Sequence, residues 1–500
     1  MKTRILALLI ASSLATLAHT ASAENLLQVY QQAKGHDAQF KAQESSHLAI
    51  LEKRQQALAA LKPQVSLSGK AAYNESRDTL TNNATVNGDA ANYTLQMGKS
   101  LFNKGISANI GKTDAVIGQS TAALESYRQD LIMRVADAYF KALLAQENVI
   151  FAGAEKDAIS HQLEQTQAYF DAGRSAITDV KEAEASYAAS VAQEINATQQ
   201  LDIARELLRV QTGGFYPNLL APRNNMPLSV PTPNSIEAWV NTAKQNNHLL
   251  RASKYGITAA QKEVEAQRAG RYPTLDLYAN HTGSYLDNDV YKNRRTNDSA
   301  IGLSVSVPLY TGGATSSKIR EAQDKFQQAQ QEYDLQGSQT EQQTRSAFLT
   351  VQSSISQVEA NKQALAAAET AAEATQAGFE VGTRTAVDVL NSLRNVFKAR
   401  RDYASARYTY LQSTLTLRQA AGTLNDKDVA SISAFMTEAP KQVAMAQDTP
   451  APEAADDTKV EVPAVKSKAK PASAPAPVEG KKGKAAASEQ EYYVMPDAAK

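Results

Sequence analysis

The chain carries one structural pattern twice, in residues 24–213 and again in residues 234–422, at an offset of about 209 positions. Pro63 ends a helical pattern and precedes an alternating one, and Pro273 does the same in the second copy. A nearly constant offset indicates that both halves build the same unit, with few insertions. Two copies are too few for an extended solenoid, so the duplication predicts a half-barrel or half-bundle that is present twice.

The N-terminal segment has the features of a secretory signal peptide. Lys2 and Arg4 precede an apolar run, and the small residues 21–23 follow it as a cleavage site. A membrane anchor is the alternative, but the run is shorter than the roughly 20 apolar residues of a spanning helix. The predicted layout is a signal peptide at 1–23, a first repeat at 24–213 (one helix, two strands and a long helical hairpin), a Pro-rich linker at 214–233, a second repeat at 234–430 and a disordered low-complexity tail at 431–500.

Two long proline-free zones predict the helical part of each repeat. No proline lies between Pro63 and Pro217 or between Pro308 and Pro440, and both zones are rich in helix-forming residues. One uninterrupted pattern covers about residues 104–169, which is roughly 100 Å at 1.5 Å per residue. Helices of this length favour a coiled-coil-like assembly. Small and apolar residues at alternating spacings of three and four mark the predicted seam: Leu131, Val135, Ala138, Ala142 and Ala145.

Each long helix is predicted to end in a turn, after which a shorter helix returns alongside it. Gly173 lies in the first turn and Gly382 in the second. Glycine is favoured at the left-handed position that ends a helix, because it has no Cβ to clash there. Each half is therefore expected to contain a long helical hairpin with one of these glycines at its tip.

Between the helices, four segments alternate apolar and polar residues with the period of a β-strand. Segments 64–76 and 91–102 form the pair of the first repeat, and polar loops are predicted at 78–90 and 287–299. Strands of about ten residues with one apolar face match those of outer-membrane barrels. The residues predicted to face lipid are Tyr73, Leu95, Leu277 and Val305, and those predicted to face water are Ser68, Thr94 and Ser304.

Four strands are too few to close a membrane barrel, because bacterial barrels contain at least about eight. We therefore expect the chain to oligomerise, and a trimer would supply twelve strands. The expected fold class is mixed: a membrane β-barrel with four strands per chain, joined to a long α-helical coiled-coil barrel. A soluble β-sandwich is the alternative, although four strands alone make a poor one.

Composition argues against several functional classes. The chain has no Cys, so it has no disulfide or thiol chemistry, and its formal net charge of +0 gives no indication of a nucleic-acid partner. The His residues beyond the predicted signal peptide are scattered without the spacing of metal ligands. No phosphate-binding loop or nucleophile elbow occurs, so the sequence predicts neither an enzyme nor a cofactor.

Three short motifs carry a resemblance to a known family: VGTRTAVDVL at 381–390, AITDV at 176–180 and AGTLN at 421–425. On these motifs the chain resembles the TolC family of outer-membrane efflux and type I secretion channels over roughly residues 24–430. The resemblance implies a homotrimer whose twelve-stranded barrel lies in outer-membrane lipid and continues into a helical barrel in the periplasm. It also implies a passive exit duct, energised by an inner-membrane RND or ABC pump through a periplasmic adaptor protein.

The resemblance further implies a closed entrance at the helix tips. Asp388 and Asn391 would line its constriction, and Thr178, Asp179, Phe379 and Arg384 would tether neighbouring helices. Asn391 stands where the family pattern has a second Asp, and Phe379 where it has Tyr. Helix capping is the alternative interpretation of Asp179 and Thr385, because polar side chains at such positions bind helix N-termini. Arg384 could equally be a solvated turn charge.

A secreted structural coiled coil or adhesin without a pore is the competing class of protein. The paired alternating segments distinguish the two, because an adhesin has no need for four strands of membrane-spanning length.

Overall fold

The computed structural model of the chain describes residues 24–77, 85–223 and 226–437. The predicted signal peptide and most of the predicted tail lie outside these ranges. The first half contains α1 (Leu26–His36), α2 (Ala38–Ala59), β1 (Gln64–Arg77), β2 (Thr85–Phe102), α3 (Lys104–Asp171) and α4 (Ile177–Thr212). A short β3 (Ala221–Pro222) precedes the second half, which contains α5 (Ile236–Asn246), α6 (His248–Ala269), β4 (Thr274–Asn288), β5 (Arg294–Ser306), α7 (Ala314–Glu380) and α8 (Ala386–Ala420). The described chain ends with α9 (Asp426–Ser433) and β6 (Met436–Thr437).

Equivalent helices of the two halves have nearly equal lengths. The long helices α3 and α7 have 68 and 67 residues, and the returning helices α4 and α8 have 36 and 35. The predicted uninterrupted helices are confirmed, and each of the long ones measures roughly 100 Å. None of the helices within the described ranges is both long and apolar enough to cross a membrane.

The predicted seam of α3 is confirmed, because all five of its residues are buried. They belong to the main apolar core, which α3 forms with residues of α1, α4, α7, α8 and α9. Tyr139, on the same stretch of α3, is fully buried, and its hydroxyl donates to the carbonyl oxygens of Glu24 and Leu220 at 3.0 and 2.7 Å. The core therefore ties the start of the first repeat and the linker to the middle of the long helix.

An ion pair fixes the start of α2 against α3. The Asp37 carboxylate accepts the Phe40 amide N–H at 2.6 Å, which caps α2, and the Arg134 guanidinium donates to both carboxylate oxygens at 2.7 and 3.1 Å. Burial would raise the pKa of Asp37, but the hydrogen bonds from Arg134 and the Phe40 amide outweigh it, so the pKa is lowered. The carboxylate is therefore a charged anchor between two helices.

The larger of the two sheets in the described residues has four antiparallel strands in the order β1-β2-β4-β5. Directly opposite residues share a face, and successive residues alternate faces. By this register Tyr73, Leu95, Leu277 and Val305 lie on one face of the sheet. Ser68, Thr94 and Ser304 lie on the other face, where polar side chains such as Thr94 and Thr282 hydrogen-bond across strands at 3.2 Å.

The strands are longer than predicted, so the predicted loops at 78–90 and 287–299 are wrong in extent. β2 already begins at Thr85, β4 continues to Asn288 and β5 begins at Arg294, which leaves only residues 289–293 as the second connection. Residues 78–84 lie outside the described ranges. Asn, Asp and Thr are typical of loops, but their exposed side chains are also compatible with strands whose backbone groups are paired across the ladder.

The predicted start of the tail at residue 431 falls inside α9, so this boundary is corrected. Val429 and Ile432 of α9 are buried, as is Met436 of β6, and β6 pairs with β3 of the linker. Apolar residues at spacings of three and four continue beyond residue 430, and they pack α9 against α1. The described fold therefore extends to residue 437.

Candidate functional site: the tips of the helical hairpins

Both hairpins turn through the same backbone motif. Gly173 and Gly382 adopt left-handed conformations with φ of 69° and 77°, which favour glycine. In the second turn, the Gly382 and Thr383 amides donate to the carbonyl oxygens of Phe379 and Gly378 at 3.0 and 2.8 Å. The first turn repeats these bonds one for one. This pattern is a Schellman motif, which satisfies the last carbonyl groups of the long helix and sets the reversal angle.

Asp388 closes the N-terminus of α8. Its carboxylate accepts the Thr385 amide N–H at 3.0 Å and the Thr385 hydroxyl at 2.9 Å, while the Asp388 amide donates to the Thr385 hydroxyl oxygen at 3.2 Å. These hydrogen bonds and the nearby Arg384 charge lower the pKa of Asp388. The capping interpretation of Thr385 is thereby confirmed, and the carboxylate stays ionised near neutral pH at the hairpin tip.

Asp179 occupies the equivalent position at the start of α4. Its carboxylate accepts the Ser175 hydroxyl at 2.8 Å and the Ala176 amide N–H at 3.4 Å. Ala176 has no side-chain oxygen to return the bond, so only half of the reciprocal box forms. Asp179 therefore caps its own helix, and its side chain binds no neighbouring helix among the residues that the structure describes.

Thr178, Arg384 and Asn391 are exposed at the tips. Their side chains form no hydrogen bond or ion pair with any residue that the structure describes. The predicted tethering by Thr178 and Arg384 and the predicted constriction at Asn391 stay predictions.

Phe379 is buried at the tip and joins the two hairpins through apolar contact. Its ring centroid lies 5.4 Å from that of Tyr169 at an interplanar angle of 33°, and it clusters with Ala386 and Val389. Offset aromatic pairs of this kind contribute roughly 0.5–1.5 kcal/mol beyond their buried area. Phe379 stands where the resemblance implies Tyr, so the contact at this position is apolar and lacks a hydroxyl.

Polar contacts between the hairpins were missed by the sequence reasoning. Arg394 of α8 donates to the Ser186 hydroxyl of α4 at 3.1 Å, and Gln376 of α7 donates to the Gln165 amide oxygen of α3 at 3.3 Å. The residues of the first pair are 208 positions apart and those of the second pair are 211 apart, close to the repeat offset. Near-equivalent positions of the two repeats therefore contact each other. The repeat offset is the sequence feature that could have indicated these contacts.

Deeper in the bundle, buried charges tie α8 to α3. The Arg401 guanidinium donates to Glu155 at 2.8 Å, and the Tyr408 hydroxyl donates to Glu147 at 2.8 Å. Burial raises the pKa of Glu147. Because unpaired buried charges are costly, these contacts hold the returning helix in one register against the long helix. The described residues contain no group of side chains arranged to hold a metal ion.

Comparison with known proteins assigns the chain to a family. Residues 29–214 and 239–423 match the model of the outer membrane efflux protein family. The chain is 34% identical to outer membrane protein TolC of Vibrio cholerae over 88% of this chain and 100% of that protein. It is 31% identical to the proteases secretion protein PrtF of Dickeya chrysanthemi, over 84% and 93% of the two chains. The solved structure of CusC has a TM-score of 0.70 at 16% identity, covers 80% of this chain and 92% of its own, and shows the same fold.

The duplicated hairpins, the two-faced sheet and these matches define the class of protein: an outer-membrane channel for efflux or secretion. The chain belongs to the outer membrane efflux protein family, in which TolC-like channels combine a helical barrel with a β domain. The resemblance inferred from the three motifs is confirmed, as is the outer-membrane location. The family is one of channels rather than of enzymes.

Proposed function

We propose that three copies of the chain assemble into one continuous duct, with a twelve-stranded barrel in the outer membrane and a helical barrel whose tips lie in the periplasm. The observation that carries the proposal is the sheet. Within the described residues, β1 and β5 each pair on one side only, which leaves edges of 14 and 13 residues. Unpaired edges of this length are a liability that barrel closure removes. The alternating strand directions make β5 of one copy antiparallel to β1 of the next.

The two faces of the sheet support a position in lipid. The face with Tyr73 and Val305 is apolar over most of its area, and these side chains are 68% and 65% exposed in a single chain. The opposite face is rich in Ser, Thr, Asn and Gln. An apolar outer surface and a polar interior are the arrangement of a water-filled membrane barrel.

The outermost helices support closure into a ring. α4 packs on one flank of the described bundle and α7 on the other. Both expose aliphatic side chains, namely Ile195, Ile203, Leu207 and Val210 on α4 and Leu335 and Leu349 on α7. Contact between α4 of one copy and α7 of the next would cover these side chains and continue the bundle around the duct.

In this assembly the tips form the entrance. Three copies of Asp388 surround the axis with Asn391 one helical turn further, and Thr178, Asp179, Phe379 and Arg384 hold the tips together. The duct itself is passive, so an inner-membrane RND or ABC pump acting through a periplasmic adaptor supplies the energy for drug efflux or type I protein secretion. The relatives named for protease secretion favour the secretion role for at least part of the family.

A secreted coiled-coil or adhesin without a pore remains the rival function. Membrane fractionation followed by native mass measurement of the detergent-extracted protein separates the two. We expect the chain in the outer-membrane fraction, with the mass of three copies. A soluble monomer would contradict the proposal.

A further inference from the structure

The face of the sheet that carries Tyr73 and Val305 also carries polar residues, and one group of them lies on β4 and β5 toward the connection between these strands. His281, Arg295, Asn297 and Ser299 lie there, at register positions that Leu and Ile occupy nearer the helices, and Tyr93 borders them. Arg295, Asn297 and Ser299 are exposed. Polar side chains that face lipid are costly unless they reach the headgroup layer or meet a polar partner. We call these five residues the polar corner.

Contacts within the polar corner hold part of it in a fixed arrangement. His281 Nδ1 lies 2.7 Å from the Ser299 hydroxyl, and its Nε2 lies 3.4 Å from the Tyr93 hydroxyl. The Tyr93 ring lies against Gly283, where a Cβ would approach the ring to 2.3 Å, so the glycine makes room for the ring. The hydroxyls and the imidazole are therefore held together on the surface.

Two donors of the polar corner take no part in this network. The Arg295 guanidinium lies 5.8 Å from the centroid of the Tyr285 ring, and neither Arg295 nor Asn297 forms a side-chain hydrogen bond or ion pair with a described residue. A guanidinium above an aromatic ring keeps its N–H groups free at the edges. These donors are available to an external acceptor.

The tilt of barrel strands places the polar corner at the outer boundary of the membrane. Strands tilted by about 40° and spaced about 4.8 Å apart are offset by roughly 12 Å, or four residues, from β1 to β5. Tyr73 is the last large apolar residue of this face on β1, and its row contains Asp287 of β4. In a barrel whose tilt raises β5 relative to β1, an offset of about four residues brings Asn297 of β5 to the same height. Arg295 and Asn297 therefore lie at the headgroup level.

We propose that the polar corner binds the phosphate group of an outer-leaflet lipid. This inference rests on the proposed membrane barrel. Arg295 supplies the positive charge and Asn297 supplies an amide donor, whereas the hydroxyls of Tyr93 and Ser299 stay bound to His281. Charge-assisted bonds from a guanidinium to phosphate are among the strongest hydrogen bonds in proteins.

Two acidic residues limit where the phosphate sits. Asp89 and Asp287 lie opposite each other on the same face, one row further toward the hairpin ends. Their negative charges repel a phosphate group on the hairpin side of Arg295, so the phosphate is expected on the side of Arg295 that is nearer the helices. Asp287→Asn is therefore expected to strengthen binding of the lipid.

The test uses the full-length trimer, extracted in mild detergent and titrated with lipid under native mass spectrometry. The probes are the diphosphorylated diglucosamine lipid of outer membranes, its dephosphorylated form and inorganic phosphate. Arg295→Gln is compared with Arg294→Gln, the matched control, because Arg294 is adjacent in sequence but lies on the opposite face. We expect Arg295→Gln to weaken binding of the phosphorylated lipid by about tenfold or more, the size of one charge-assisted bond. We expect Arg294→Gln to leave this binding unchanged. The dephosphorylated lipid should show no specific affinity for the trimer. Arg295→Lys should retain part of the binding.

The outcomes separate the site from the proposed function. Equal binding by the two glutamine variants, or equal binding of the phosphorylated and dephosphorylated lipids, would overturn the site. Competition by inorganic phosphate at the same concentration would show that the lipid is not required, and would also overturn it. A trimer that inserts in membranes but selects no phosphorylated lipid overturns the site alone, whereas a soluble monomer overturns the barrel and the site together.

Discussion

The assignment of the two sheet faces can be tested with a single pair of adjacent substitutions. Val305→Lys places a charge on the apolar face, and Ser304→Lys places the same charge on the polar face one residue away. β5 ends at Ser306, so Val305 lies near the helical end of the strand. With a rise of about 3.3 Å per residue and a tilt of about 40°, Val305 lies roughly 20 Å below Asn297 in the proposed barrel, within an apolar band about 25 Å tall.

The expected cost follows from this depth. A Lys costs about 2–4 kcal/mol at the midplane of a barrel's lipid face and less toward its edges, so Val305→Lys is expected to shift the folding equilibrium of each chain by up to roughly 30- to 1,000-fold. Ser304→Lys should cost far less, because the new ammonium group faces water and lies directly opposite Asp276. Opposite charges across a strand pair are stabilising by a few tenths of a kcal/mol.

The assay is refolding of each variant from urea into lipid vesicles, with the folded trimer quantified by its altered migration on unheated gels. We expect the urea midpoint of Val305→Lys to fall well below that of the unmodified chain, and that of Ser304→Lys to stay close to it. Equal losses for both variants, or a larger loss for Ser304→Lys, would refute the assignment of the faces and with it the barrel.

Three further predictions concern the entrance, the α2 anchor and the C-terminus. Asp388→Ala should markedly lower the cation preference of single channels in planar bilayers, and Asn391→Asp should raise it, because like charges around a narrow axis attract cations; unchanged selectivity in Asp388→Ala would place the constriction elsewhere. Because the pKa of Asp37 is lowered, its stabilising effect is present above the unfolded value of about 3.9 and is lost as the pH falls through the folded value. Arg134→Ala should therefore lower the free energy of unfolding by about 1.5–3 kcal/mol at pH 7, and it should reduce the acid sensitivity of the urea midpoint; a loss that is the same at pH 7 and pH 3 would contradict this reasoning. Truncation after Thr437 should leave trimer formation and export intact, whereas removal of α9 and β6 as well should destabilise the trimer because their apolar residues are buried; loss of the trimer in the shorter truncation would show that the tail packs on the fold.

The helices and their turns were predictable because local chemistry determines them. Absence of proline and the glycines at 173 and 382 gave the long helices and their ends to within a few residues of Asp171 and Glu380. The capping role of Thr385 was also visible, because its partner Asp388 lies three positions later. The strand pattern gave both faces of the sheet, although polar residues near the hairpin ends concealed the full strand lengths.

Contacts between distant helices were not predictable from local signals. Arg134 reaches Asp37 across 97 positions, and Arg394 reaches Ser186 across 208. Each of these side chains is charged or polar and occupies a helix position that, from the sequence, resembles any solvent-exposed position. Only the packing of the helices brings its partner close. The polar corner was missed for a similar reason, because its residues interrupt the alternation and resemble a loop.

The contact between Tyr169 and Phe379 has a consequence for how the duct can change shape. Counterparts in the two repeats touch, so the proposed ring consists of six similar hairpins and contains two kinds of joint, one inside each chain and one between chains. The joint inside the chain combines an aromatic pair with the Arg394 and Gln376 contacts, whereas the joint between chains in the proposed ring would use other residues. Selection can therefore alter one kind of joint and leave the other unchanged. A pseudo-sixfold ring of this kind can widen with threefold symmetry, as alternate joints open while the rest stay closed.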